Sequence, residues 1–205
     1  MKTRYIVGID EVGRGALAGP VVVAAVAVAT AANFRSSKLK VNLRDSKELT
    51  AKQREEWFRY IEAHPRISYA LARVYPRAIE RMNITKAANL AALRAYRKLT
   101  SRLRHSISNM RVYLDGGLYL GSGEQPSNAR TIVRGDQKYK AIKFASIIAK
   151  VSRDQLMRGL AKRYPEYGFE IHKGYGTKLH RMALKKHGPS EAHRLTFLKK
   201  LIYNS

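Results

Sequence analysis

The sequence predicts an α/β fold: a mixed β-sheet with helices packed on it. Three observations predict it. Two β-rich runs open the chain, and strand-like and helical patterns then alternate to the C-terminus. A length of 205 residues suits one domain with at most a small appendage, and can bury a sizeable core. Hydrophobic residues at 45% and charged residues at 27% are ordinary globular composition rather than that of a disordered chain.

The elements follow in order. Tyr5-Ile6-Val7-Gly8-Ile9 is a short β-rich run that stops at Asp10, and Gly13-Arg14-Gly15 with Gly19-Pro20 is a turn before a second strand from Val21. Residues Asn33 to Lys47 are polar and basic with few periodic apolar positions, which predicts a surface loop. Thr50 is placed to cap a helix whose Trp57, Tyr60 and Ile61 lie at helical spacing. Ile67 to Tyr75 is strand-like, and Pro76 suits the first position of another helix. From Lys86 to Arg104, Ala92, Tyr96, Leu99 and Leu103 keep helical spacing. The other positions there include Lys86, Arg94, Arg97, Lys98, Arg102 and Arg104 without one acid, which suits a phosphate-facing role as well as solubility. Arg111–Leu114 and Arg130–Val133 are two further strands. A long helix follows from about Tyr139 to Tyr164, with Phe144, Ile147, Ile148 and Val151 on one face. His180–Lys186 and Leu195–Ile202 are helical.

Charge narrows the function. Forty Lys and Arg against 15 Asp and Glu leave +25, so the surface attracts polyanions, nucleic acid or an anionic membrane. The absence of Cys excludes a disulfide framework, thiolate metal sites and thiol nucleophiles. The longest apolar run, Val21 to Ala32, is too short for a membrane span, which needs about 20 residues. Asp10, Glu11 and Arg14 precede it where a signal peptide would be basic and then apolar. A soluble, cytoplasmic protein is expected.

In so basic a chain the acids are informative. Only five Asp are present, and three of them, Asp10, Asp115 and Asp136, stand where β-formers run out. Asp in such a place is often only a turn-former. If the three strands are neighbours, their ends can gather several carboxylates, with Glu11 as an adjacent fourth. Successive strand side chains face opposite ways, so Asp10 and Glu11 can share a site only where the strand ends and the backbone turns. Clustered carboxylates repel one another, and a divalent cation relieves them. Oxygen donors without Cys or a His pair suit Mg²⁺ or Mn²⁺ better than Zn²⁺.

Asp10-Glu11-Val12-Gly13-Arg14-Gly15, with Gly19-Pro20, resembles the opening motif of type 2 ribonuclease H (ribonuclease HII). The resemblance continues through Asp45-Ser46-Lys47, Leu114-Asp115-Gly116, Gly135-Asp136, Ala145-Ser146-Ile147-Ile148-Ala149-Lys150-Val151 with Arg153-Asp154, and His172-Lys173-Gly174-Tyr175, and ends near His193-Arg194. The motifs come in the family's order and span nearly the whole chain. The resemblance implies a ribonuclease H-like fold, a mixed five-stranded sheet flanked by helices. It implies a single catalytic domain over 1–205, of which about 165–205 is a helical C-terminal extension covering the substrate. The implied activity is endonucleolytic cleavage of the RNA strand of RNA–DNA hybrids and nicking 5′ of ribonucleotides embedded in duplex DNA. The family's four metal-binding catalytic acids fall on Asp10, Glu11, Asp115 and Asp136. Its Gly-Arg-Gly, which reads the ribose 2′-hydroxyl through backbone groups, falls on Gly13, Arg14 and Gly15. Its junction-stacking tyrosine falls on Tyr175, and the lysine near the phosphate on Lys47. Ala16, Arg134 and Phe144 depart from the usual pattern without touching these positions. The sister type 3 enzyme usually carries Thr where Arg14 stands and has an extra N-terminal domain. Here the first strand begins within five residues, so type 2 is expected.

Two Mg²⁺ or Mn²⁺ ions about 4 Å apart would hold the attacking water and the leaving 3′-oxygen on opposite sides, giving 3′-hydroxyl and 5′-phosphate ends. The 2′-hydroxyl then serves recognition, because it is what separates RNA from DNA. His172, His180, His187 and His193 read more readily as packing or surface residues than as acid–base catalysts, and Asp154, beside Arg153 on the long helix, as an intrahelical or supporting pair rather than a fifth ligand. Tyr175, among glycines, suits substrate contact. A monomer is expected, and the tail from Leu195 to Ser205 carries no evident motif for a replication clamp. Two rivals remain. A non-catalytic nucleic-acid-binding factor would explain the charge but not the acids. Another nuclease of the same fold would explain the acids but not Gly-Arg-Gly with a distant Gly-Tyr.

Overall fold

The computed structural model of the chain describes residues 4–30, 43, 46, 48–103, 110–121 and 125–202. Asp45, Lys47 and most of the loop expected before Thr50 lie outside the described residues. Five strands form one sheet: β1 (Tyr5–Val12), β2 (Val21–Ala29), β3 (Ile67–Val74), β4 (Met110–Asp115) and β5 (Ala129–Ile132). Their spatial order is β3-β2-β1-β4-β5, antiparallel from β3 to β1 and parallel from β1 to β5. The sheet is therefore mixed and five-stranded, as expected.

Strand β2 shows how the layers arise. All nine of its Val and Ala residues are buried, as a strand covered on both faces requires. Alternate residues enter different cores. Val21, Val23, Ala25 and Ala27 meet α3 (Ile84–Arg102), which presents Ala87, Ala88, Ala91, Ala92 and Ala95, side chains small enough for close approach. Ala24, Val26 and Val28 meet Trp57 and Ile61 of α1 (Ala51–Ala63) and Phe144, Ile147 and Ile148 of α5 (Lys140–Arg163). Burying one such large side chain contributes about 1.5–3 kcal/mol, so the sheet is held from both sides.

The helix starts follow local chemistry. Thr50 caps α1 through a reciprocal box: its hydroxyl accepts from the Gln53 amide at 3.2 Å, and Gln53 Oε1 accepts from the Thr50 amide at 2.9 Å. Pro76 opens α2 (Pro76–Met82) at its first turn, as expected. Helix α5 lies directly against β1 because residue 8 has no side chain; a Cβ there would stand 2.2 Å from the Ala141 carbonyl carbon. Beyond α5 come a 3-10 turn (Pro165–Tyr167), α6 (Phe169–His172), α7 (Lys178–His187) and α8 (Leu195–Ile202). Met157 and Ala161 of α5 join Tyr167, Phe169, Ala192 and Ala18 in a small core of their own.

Two boundaries differ from expectation. β1 does not stop at Asp10: its pairing with β2 continues through Asp10↔Ala24, Glu11↔Val23 and Val12↔Val22. β5 ends at Ile132, so Asp136 lies not at the strand end but on a short helix, α4 (Gly135–Lys138), reached through Arg134 at φ 54°.

Candidate active site

Parallel pairing of β1 with β4 sets Ile9 beside Leu114, so Asp10 and Asp115 follow at the same end of neighbouring strands. Within β1, Asp10 lies opposite Ala24 on the α5 face and Glu11 opposite Val23 on the α3 face. The two acids thus share the sheet end from opposite faces, and the backbone turn expected there comes directly after β1, at Gly13. Asp10 is 7% exposed. Burial pushes its carboxyl well above the usual carboxylate range, and the charges of Glu11 and Asp115 push it further. The Ser146 hydroxyl on α5 and the Glu11 amide, at 2.7 Å from Asp10 Oδ1, pull the other way by donating to it. Ser146 also meets Ser46 at 2.7 Å, tying the Asp-Ser-Lys segment to the acid.

Glu11 is likewise raised, first by burial and also by Asp115, against the lowering effect of Arg14, whose Nη1 lies 3.4 Å from Glu11 Oε1. Its other oxygen, Oε2, is buried without a hydrogen-bond partner. Asp115 Oδ1 accepts from the Gly135 amide at 2.6 Å. That bond anchors the start of α4 beside β4, and Asp136, the next residue, is 8% exposed. A Cβ at residue 135 would meet Ile142 Cδ1 at 2.5 Å and Asp115 Oδ1 at 3.2 Å, so glycine permits the approach.

The Gly-Arg-Gly loop leaves β1 through Gly13 at φ 92°. Arg14 bridges Glu11 and Thr85 of α3, each at 3.4 Å, while Gly15 is exposed. Tyr175 comes to this loop from the far end of the chain. The Leu17 and Ala18 amides donate to the Gly174 carbonyl at 2.8 and 3.3 Å, laying the two segments side by side. Under Tyr175 is a guanidinium, with Arg153 Cζ 5.3 Å from the ring centroid. Arg153 is fully buried and donates only to carbonyls, those of Pro20, Lys173 and Ala18, at 2.9–3.0 Å. Arg194, also fully buried, donates to Gly19 and to the carbonyl of Arg14 at 2.8–3.0 Å. Burial, then the neighbouring charge of Arg153, lowers Arg194 to about 9, so it remains charged at neutral pH.

Sequence reasoning quoted Ser146, Arg153 and Arg194 without giving them a role. A signal for Arg153 existed: it lies on the same helical stripe as Met157 and Ala161, where an arginine must be buried. Asp154 makes an intrahelical pair, with Lys150 at 2.9 Å, and its charge also favours the charged form of Arg153. His172, His180 and His193 are buried in the C-terminal unit and meet Phe169 edge-on or tilted, as packing residues do. The exposed His187 lies beside Tyr167. A cleft of about 630 Å³ opens on another side of α5, between Arg73, Arg77 and Arg163, and none of the four acids lines it.

As placed, no three His, Asp or Glu side chains among the described residues close around a metal ion. Their chemistry nonetheless fits a hard divalent cation. The donors are carboxylate oxygens, three of them repel one another, and one buried oxygen lacks any partner.

Comparison with known proteins places the chain in a family. The family model described as Ribonuclease HII matches residues 7–203. A ribonuclease HII from Synechococcus sp. (strain WH7803) is 47% identical over 195 residues, covering 95% of each chain. Among solved structures, the PCNA:RNase HII complex from Archaeoglobus fulgidus has a chain matching at TM-score 0.68 and 26% identity, over 93% of this chain and 94% of that one. Bst-RNase HIII in complex with Mn²⁺ matches in fold at TM-score 0.78 and 19% identity, over 98% of this chain and 70% of that one.

Proposed function

The chain belongs to the ribonuclease HII family of metal-dependent endoribonucleases, and from that premise we propose that it cleaves RNA in RNA–DNA hybrids and nicks duplex DNA 5′ of single embedded ribonucleotides. Asp10, Glu11, Asp115 and Asp136 would hold two divalent ions, Mg²⁺ or Mn²⁺. When bound, such a pair supplies an activated water at neutral pH and neutralises charge on the departing 3′-oxygen. Ser146 and the Gly135 amide keep Asp10 and Asp115 oriented. The backbone of Gly13, Arg14 and Gly15 reads the ribose 2′-hydroxyl, Tyr175 stacks beside the sugar at the junction, and Lys47 approaches the phosphate. Water rather than the 2′-hydroxyl attacks, so the ends are 3′-hydroxyl and 5′-phosphate. Residues 1–205 act as one catalytic domain, monomeric and cytoplasmic, with residues from about 165 covering the substrate. No helix among the described residues is long and apolar enough to cross a membrane. The tail adds no argument for a clamp, although one relative was solved with PCNA.

One observation carries this reading: the loop after the two β1 acids is hydrogen-bonded, through Leu17 and Gly174, to the loop bearing Tyr175. A metal site and a sugar-reading site thereby share one surface. The test is a DNA duplex with a single ribonucleotide, incubated with Mg²⁺ or with Mn²⁺. Nicking 5′ of the ribonucleotide, with a 5′-phosphate on the product, is expected. Binding without cutting would return the non-catalytic reading.

A further inference from the structure

We propose that Arg153 and Arg194 are positioning residues that fix the spacing between the Gly13–Gly15 loop and Tyr175, and that this spacing sets the preference for a ribonucleotide–deoxyribonucleotide junction over uninterrupted hybrid. The proposal rests on the substrate reading above and deepens it.

Three segments distant in sequence meet at this point: 14–20, 173–175 and 192–194. Backbone bonds join them, Leu17 N to Gly174 O at 2.8 Å, Gly19 N to Ala192 O at 2.8 Å and Arg194 N to Leu17 O at 2.8 Å. The two guanidiniums then take up the carbonyls that remain. Arg153 spans from Ala18 and Pro20 to Lys173, two residues before Tyr175. Arg194 spans from Gly19 to the carbonyl of Arg14, the middle of the Gly-Arg-Gly loop. None of these six bonds goes to a carboxylate.

A buried cation that donates only to carbonyls is a poor way to gain stability, because desolvation of the charge is met chiefly by partial charges. It is a good way to gain geometry. The guanidinium is a rigid planar fork, so one side chain fixes several carbonyls of separate segments at once, which lysine's single ammonium cannot do. The Arg153 plane also lies under Tyr175, and the ring's negative face holds to it.

The spacing has little slack. A Cβ on Gly13, at φ 92°, would sit 2.3 Å from Arg153 Nε, and one on Gly174, at φ 80°, would sit 2.7 Å from the Ala18 carbonyl oxygen. The loop that would read the 2′-hydroxyl and the ring that would sit beside the next sugar are therefore pressed onto one rigid part. A junction is recognised only if both elements engage adjacent sugars together, whereas continuous hybrid offers a 2′-hydroxyl at every step and tolerates misalignment.

The test uses the full chain and three variants, R153K, R194K and Gly176→Ala. The last keeps both arginines but sets a new Cβ 3.0 Å from Leu17 Cδ1, crowding the contact between the Tyr175 loop and the other segment. For each, kcat/KM is measured on a single-ribonucleotide duplex and on uniform RNA–DNA hybrid, well below the melting midpoint. Binding of both substrates is measured in EDTA. The ratio of junction to hybrid kcat/KM should fall about 10-fold in the arginine variants, about 1.4 kcal/mol, and in the same direction in Gly176→Ala. The metal-free affinity ratio should follow it. Equal losses on both substrates that track melting temperature would mean the arginines only stabilise the fold, and would overturn the proposal. If one arginine variant does not fold, the other decides, read together with Gly176→Ala. Wild-type protein that leaves the junction duplex uncut would overturn the substrate reading and the proposal together; wild type that nicks it, with ratios unchanged in the variants, would overturn the proposal alone.

Discussion

The carboxylates at the sheet end and the histidines of the C-terminal unit are both buried titratable clusters, and they differ in how far the protein itself satisfies them. The histidines lack nothing. His193 Nδ1 accepts from the Ser190 amide at 3.0 Å, so its Nε2–H donates to His180 Nε2 at 3.1 Å, and His180 Nδ1–H donates to the Tyr175 carbonyl at 3.0 Å. His172 Nδ1 accepts from the Gly174 amide at 3.1 Å, and its Nε2–H donates to the Tyr167 carbonyl at 2.7 Å. Each ring has one tautomer and is neutral. The acids are the reverse: charges repel across the sheet end and Glu11 Oε2 has no partner. A buried polar cluster that closes on itself is scaffold; one left short of positive charge is where an outside ligand completes the structure.

The sharpest way to break this contrast is to neutralise an acid. Asp10→Asn or Asp115→Asn should lower cleavage by at least about 100-fold, some 2.7 kcal/mol of transition-state stabilisation. Hybrid affinity should stay within a few-fold, because basic residues dominate binding to phosphates. Asp10→Asn retaining a tenth of wild-type activity would refute the metal assignment.

Tyr175 links the histidines to the proposed substrate surface, since its carbonyl belongs to their network and its ring to that surface. Tyr175→Ala keeps that carbonyl and removes the ring. Cleavage at a single ribonucleotide should fall about 10- to 100-fold, as the loss of a stack worth about 1–3 kcal/mol implies. Uniform hybrid should suffer less; equal losses would assign the ring to loop stiffness alone.

The histidines should report themselves through pH. Burial, with the neighbouring ring as a second cause, lowers His180 and His193 to about 4, below the ordinary 6.5. Between those values the unfolded chain binds more protons than the folded one. Their contribution is thus intact above pH 6.5 and lost progressively as pH falls toward 4. Melting temperature should drop over that interval by about 2–4 °C for each kcal/mol lost. His193→Gln, which cannot titrate, should lower stability at pH 7.5 but flatten the pH slope; an unchanged slope would count against the network.

Glu11→Gln is the smallest change. In EDTA it removes one of three repelling charges, and the midpoint should rise by about 2–4 °C if roughly 1 kcal/mol of repulsion is relieved. A lower midpoint would show the Arg14 contact to outweigh the repulsion.

The acids were legible because Asp is scarce in this basic chain and three of its five follow β-formers. Strand limits were less so. The carboxylates of Asp10 and Glu11 resemble a strand stop, yet pairing with Val23 and Val22 carries β1 to Val12, and only Gly13's positive φ ends it. An intrahelical pair for Asp154 was legible, because Lys150 stands at i,i+4 from it on the same face; Arg153, on another face of the helix, turns to carbonyls. The histidine network joins His172 of α6, His180 of α7 and His193 of the segment before α8, a separation that no local pattern carries.

The parallel pairing of β1 with β4 has a consequence in time. Ile9 waits for Leu114, and Ala18 waits for His193. On a ribosome adding about 5–20 residues per second, roughly 5–20 s pass between the synthesis of Asp10 and that of Asp115, and the Arg194 contacts come later still. Through that interval the growing chain holds Asp10 and Glu11 without Asp115 or Asp136, so the proposed metal site can form only once most of the chain has been made.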